Sequence, residues 1–304
     1  MTNQVWQPSV RVSCADDCWL RLKAEHVTTS IGGILLDAGA GDDITAGNAD
    51  LLVVAGTAAN PMDDEQFMRA AVLERTDPRE GLVTRTGGSL VDVTRQRTAT
   101  VLVVAASTRV QLAQRAPDIT VLPVASAEAA LRAVQHGEVA ALIAPIPWLR
   151  ANSALAPGLA VRPLEHGEIL HAAGSGIASL LCRRTDARTR KAVAVLDNAQ
   201  SRAALTAERE LQFHVTGDQA DTDMYVAGHA EMRRTANGDE RLVLLGLLLT
   251  QGGYGPYRAS HEVGSADATV LGRAMAATLL AQYQQAHDRR TSSQHSHSTA
   301  NRGH

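Results

Sequence analysis

The 304 residues carry 29 Lys and Arg against 32 Asp and Glu, a formal net charge of -3, which argues against a dedicated nucleic-acid binder with its basic excess. Two Phe, three Trp and four Tyr leave little for base stacking or an aromatic membrane belt, and no apolar run reaches the roughly 18 residues that span a bilayer. Three cysteines, Cys14, Cys18 and Cys182, are too few for a disulfide framework, and MTNQVWQPSVRV lacks a basic stretch followed by an apolar core, so a thiol-reduced cytoplasmic protein is expected.

A chain of this length is expected to hold two or three domains. Residues 9 to 13, SVRVS, predict a short alternating strand. Three continuous apolar runs, 49 to 55, 101 to 106 and 139 to 144, are of strand length and suit parallel strands buried on both faces. Between them, residues 107 to 116 predict a helix with Ser107 or Thr108 as N-cap. Residues 126 to 136 predict another, opened by Ser126, carrying Ala129, Ala130, Leu131 and Val134 on one side and stopped by Gly137. This alternation is an α/β pattern. Residues 186 to 215 predict two helices. Residues 223 to 232 and 241 to 250 predict strands joined through Asn237-Gly238-Asp239, a hairpin signal, with a third strand near 255 to 261 and a long helix over 265 to 287. Residues 288 to 304 have no apolar face and are expected to be disordered.

Several stretches then carry a family likeness. Ala172-Ala173-Gly174-Ser175-Gly176-Ile177-Ala178, Cys182-Arg183-Arg184 and Thr189-Arg190 resemble a glycine-rich segment of porphobilinogen deaminase (hydroxymethylbilane synthase). Ala49-Asp50-Leu51, Glu74-Arg75-Thr76-Asp77-Pro78-Arg79, the run from Gln111 to Asp118, Ala207-Glu208-Arg209, Leu244-Leu245-Gly246-Leu247, Gly252-Gly253, Gly264 with Ala266-Asp267-Ala268, and Leu271-Gly272 match further segments in the same order. The resemblance implies an α/β fold of three domains: two periplasmic-binding-protein-like lobes and a small C-terminal α+β domain. The expected boundaries are 1–98 with 175–198, 99–174, and 199–287, followed by the tail. It also implies a monomer with a small-molecule ligand in the interdomain cleft, and no nucleic acid or membrane. Active members polymerise porphobilinogen into hydroxymethylbilane on a dipyrromethane primer, thioether-linked to a Cys of the third domain.

The residues depart from that pattern where the chemistry lies. Family arginines bind substrate carboxylates, an Asp stabilises positive charge on the pyrrole, and a thiol anchors the primer. After the first strand, Ala15 and Asp17 fall at the family's Arg and Ser. The Ser-Met-Lys-Asp loop becomes Ala55-Gly56-Thr57-Ala58-Ala59-Asn60-Pro61. The family's Arg pair becomes Ser107-Thr108, with Arg109 one place later, and two further arginines become Val124 and Ala130. Asp218 or Gln219 stands at the anchoring Cys, and no Cys follows Cys182. Neither lysine, Lys23 or Lys191, falls in the catalytic loop. Candidate pocket residues are therefore Asp17, Thr57, Ser107, Thr108, Arg109 and Ser175, with no dipyrromethane attachment and no metal site expected.

Bland readings stand beside these. Asp16 and Asp17 suit a helix N-terminus. Cys14 and Cys18, four apart, are reactive-thiol or core candidates, and Cys182 reads as core. Gly174, Ser175 and Gly176 suit a hinge. The eleven His show no ligand spacing, and His214 and His229 read as structural. Two functional readings stay open: a porphobilinogen-deaminase-like transferase with lost or altered standard activity, and a non-catalytic ligand-binding or regulatory protein that keeps the cleft.

Overall fold

The computed structural model describes residues 9–15, 17–36, 42–58, 66–152, 157–217, 223–251, 255–264 and 267–300. The first sheet has the order β2-β1-β3-β10-β4, from β1 (Arg11–Cys14), β2 (Ile34–Leu35), β3 (Leu51–Ala55), β4 (Phe67–Val72) and β10 (Ala178–Arg183). β1 runs parallel to β2 and β3, whereas β10 is antiparallel to β3 and β4. Helix α1 (Cys18–Ile31) buries Leu20, Ala24 and Val27, at i, i+4 and i+7, and stops at Gly32 with φ 67. Short α2 (Asp42–Thr45) precedes β3. Asp50 stitches the sheet, accepting from Arg11 on β1 and Arg183 on β10 at 2.9 and 3.0 Å.

The second sheet has the order β7-β6-β8-β5-β9. Its members are β5 (Glu80–Thr84), β6 (Thr100–Val103), β7 (Thr120–Pro123), β8 (Ala141–Pro145) and β9 (Ala160–Pro163). β6, β7 and β8 are parallel; β5 is antiparallel to β8 and β9. Both sheets are therefore mixed, because the chain enters the second through β5 and returns to the first through β10. The three predicted apolar runs, in β3, β6 and β8, each pair parallel with a neighbour as expected; the antiparallel pairings come from β4, β5, β9 and β10. Residues 80–98, expected in the first domain, lie with the second sheet. β5 pairs there, and Leu90 and Val93 of α3 (Leu90–Thr94) join its core with Val101, Leu112 and Ile143.

Helix α4 (Ala106–Arg115) follows β6. Its N-cap is Ala105, without a side-chain hydrogen bond, so Ser107 and Thr108 sit inside the first turn rather than capping it. Helix α5 (Ala127–His136) matches expectation, with the Ser126 hydroxyl accepting from Ala129 N and Gly137 at φ 77 closing it. Helix α6 (Ile146–Ala151) ends the second sheet's apolar layer with Ile146 and Leu149.

Helices α7 (Ala187–Val193) and α8 (Ala199–Thr216) lead to a three-stranded antiparallel meander, β11 (Met224–Arg234), β12 (Glu240–Thr250) and β13 (Tyr257–Gly264). Gly238, φ 88, makes the hairpin turn. The LVLLGLLL run of β12 has a physical cause: both faces of this sheet are buried. Leu242, Leu244 and Leu248 pack with α8 and α9 residues, whereas Leu247, Leu249 and Ala227 pack with Val110 of α4 and Leu170. Helix α9 runs Ala268–Ala300. It thus passes the expected end at residue 287 into the segment expected to be disordered: no Pro or Gly interrupts 288–300, so backbone bonding continues where the apolar stripe has ended.

Candidate functional site

Two segments carry the chain between the sheets, one from β4 to β5 and one from β9 to β10. They meet the third domain at a buried ion pair. Arg75, on the first crossing, donates to Glu208 Oε1 and Oε2 of α8 at 2.7 and 3.2 Å. It also donates to the carbonyls of Ser175 and Ala230 at 3.0 and 3.1 Å. Glu208, with its side chain 0% exposed, accepts in addition from Gly174 N at 2.6 Å and Ala230 N at 2.7 Å. A carboxylate and a guanidinium at this depth are tolerated because the carboxylate accepts four hydrogen bonds and the guanidinium donates four.

The glycine-rich return is built for close approach. Gly174 and Gly176 have φ 80 and 74, the left-handed region where a Cβ is costly. Gly56 N, just after β3, donates to Ile177 O at 2.7 Å, so the turn holding Thr57 lies against the turn holding Ser175. Thr57 is exposed and Ser175 buried. Asp17 does not join them: half-buried, its carboxylate accepts from Leu20 N at 2.9 Å and caps α1. Asp16, Asn60, Pro61, Gly252, Gly253, Ala266, Asp218 and Gln219 lie outside the described residues. Cys14 and Cys182 are buried and Cys18 exposed; burial pushes the Cys182 thiol up.

The other candidates gather at the start of α4. Thr108 is fully buried, and its hydroxyl donates to Glu80 Oε1 at 3.4 Å, the weak limit of a hydrogen bond. Glu80 Oε2 and Ser107 Oγ are buried with no hydrogen-bond partner among the described residues. Burial pushes the Glu80 carboxyl up to about 7, only partly opposed by Thr108. Below that pH the folded protein holds a proton that the unfolded chain, with its ordinary carboxyl, has already released. Stability therefore falls as pH rises from the usual carboxylate range to about 7 and is level beyond. Replacing Glu80 by Gln is expected to stabilise by up to ~3 kcal/mol above pH 7 and by little at pH 5; urea titrations at both pH values check this. Arg109 is half-exposed and lines a cavity of about 440 Å³ with Gln114, Thr250 and Pro256, between α4 and the third sheet.

One group was missed. His166, His171 and His229 bring ring nitrogens within 4.8 Å of one another, a grouping that the histidine spacing did not predict. His166 and His171 lie on the second crossing and His229 on β11. Sequence separations of 5 and 58 carry no helical ligand period; only the docking of β11 on that crossing, seen in the Ala172–Ala227 bridge, joins them.

Residues 41–191 match a family model described as porphobilinogen deaminase, dipyromethane cofactor binding domain. Porphobilinogen deaminase of Nocardia farcinica is 30% identical over 244 residues, 79% of this chain and 68% of that one. That of Mycolicibacterium gilvum is 31% identical over 223 residues, 71% and 69% of the two chains. Among solved structures, an ancestral cationic amino acid solute binding protein aligns at TM-score 0.44 and 12% identity, over 62% of this chain and 87% of its own. The VFT2 domain of Bordetella pertussis BvgS aligns at TM-score 0.40 and 15% identity, over 62% and 86%. On its matched residues and its relatives, the chain belongs to the porphobilinogen deaminase family.

Proposed function

We propose that this family member is a repurposed homologue: a porphobilinogen-deaminase-like protein that binds a small ligand in its interlobe cleft without a covalent primer. The observation that carries the reading is the placement of thiols. Family chemistry needs a third-domain Cys to hold dipyrromethane, and all three cysteines here belong to the first sheet and its helix: Cys14 on β1, Cys18 at the start of α1 and Cys182 on β10. These residues do not fit the group.

Glu80 supports the same reading. The resemblance puts Arg at 107 and 108, where a guanidinium beside Glu80 would serve as counter-ion; Thr108 offers one hydroxyl instead. The cleft has thus lost fixed positive charge, which favours a ligand with fewer carboxylates than a growing pyrrole chain. No helix among the described residues is long and apolar enough to cross a membrane, and a monomer acting in the cytoplasm goes with the family.

Intact mass spectrometry of purified protein incubated with porphobilinogen is expected to give the mass of the bare chain, and the mixture to contain no hydroxymethylbilane. A pyrrole adduct, or product above background, would show that the ordinary transferase reaction persists.

A further inference from the structure

In the histidine cluster, each neutral proton arrangement leaves a ring lone pair free. His171 Nδ1 lies 2.9 Å from Ala172 O. A carbonyl only accepts, so this nitrogen carries the proton, and the neutral ring then leaves Nε2 as a bare lone pair. That Nε2 lies 3.0 Å from His229 Nδ1. On its other side, His229 Nε2 faces Glu231 Oε2 at 3.6 Å, a carboxylate that also only accepts. With the His229 proton toward Glu231, two lone pairs oppose each other at 3.0 Å. With it toward His171, the 3.0 Å pair is a satisfied hydrogen bond and His229 Nε2, 3.6 Å from the carboxylate, is left without a donor. Each neutral arrangement leaves at least one ring lone pair without a donor.

A proton there would make a buried imidazolium. His166 Nδ1 is likewise buried with no hydrogen-bond partner among the described residues. Neutral imidazole nitrogens with free lone pairs are the form that ligates metals. Local positive charge is already compensated: Arg75 is paired with Glu208, and Arg79 with Asp77 and Glu165.

We propose that His166, His171 and His229 form a binding site for a zinc-class divalent cation. Three imidazole nitrogens suit zinc and its first-row neighbours rather than magnesium or calcium, which take oxygen ligands. The Ala172 carbonyl and the Glu231 carboxylate are the outer partners that orient ligating histidines, each receiving the proton of the non-ligating nitrogen. His171 and His229 are 0% and 6% exposed while His166 is half-buried, so the His166 side is the way in, and a water completes the tetrahedron there. The ion would link the second crossing segment to β11. This proposal does not depend on the fate of the primer.

The test uses the full chain with His295→Gln, His297→Gln and His304→Gln, removing the tail imidazoles as competitors. After chelation, Zn²⁺ is titrated calorimetrically, and Co²⁺ is added as a spectroscopic probe. The expected result is one equivalent bound, a Co²⁺ adduct with the intense visible bands of tetrahedral nitrogen coordination, and a raised melting temperature. In the same background, His166→Gln is expected to weaken Zn²⁺ binding more than ~100-fold, and Glu231→Gln by roughly 10–100-fold. Absence of saturable binding overturns the site, as does unchanged affinity in either variant; the rings would then be a stacked cluster only.

Discussion

Replacing Glu208 by Ala is expected to cost about 3–5 kcal/mol, the penalty for stranding one partner of a buried ion pair. The loss reaches beyond one contact, because the same carboxylate holds Gly174 N on the second crossing and Ala230 N on β11. Against total stabilities of ~5–15 kcal/mol for ordinary domains, it should lower the denaturant midpoint sharply. Glu208→Gln is expected to fall between, since one carboxamide oxygen still accepts but its NH₂ opposes an N–H. The pair Arg75→Ala with Glu208→Ala is the informative control: it leaves no unpaired buried charge, so it should be no less stable than the worse single variant. A double variant that loses the sum of both single effects would mean that the two residues act separately.

Gly174→Ala is the second large effect. A Cβ there would lie 2.2 Å from Gly56 O and 2.9 Å from Thr57 N. Both obstacles are backbone of the turn after β3, and no side chain can rotate aside. The left-handed conformation adds ~1–2 kcal/mol, so the total is expected to exceed ~4 kcal/mol, the range of exceptional substitutions. Gly158→Ala isolates the conformational part: its φ is 88 and nothing lies within 4 Å of the added carbon. It should lose only ~1 kcal/mol. Equal losses in the two variants, measured by urea unfolding, would remove the close approach from the account.

Local chemistry made some of this fold readable. Ser126 and Gly137 bracket α5 because a hydroxyl cap and a left-handed stop are written in adjacent residues, and Asn237-Gly238 marks the hairpin for the same reason. β5 was not read: it opens with Glu80, and a glutamate at 0% exposure defies the rule that places charge outside. The six candidate pocket residues came from motif order, which gives place but not direction. The helix-terminus reading of Asp17 is the one the structure bears out, but motif order could not tell that Ser107 and Thr108 share a buried corner with Glu80. The histidine cluster was illegible because its members come together only when two domains dock.

The third domain, finally, is not a detachable appendage. β11 and α8 supply the partners of Arg75, and β11 supplies His229, so the piece farthest along the chain completes the joint between the first two. A descendant shortened before α8 would inherit a bare cation in its middle.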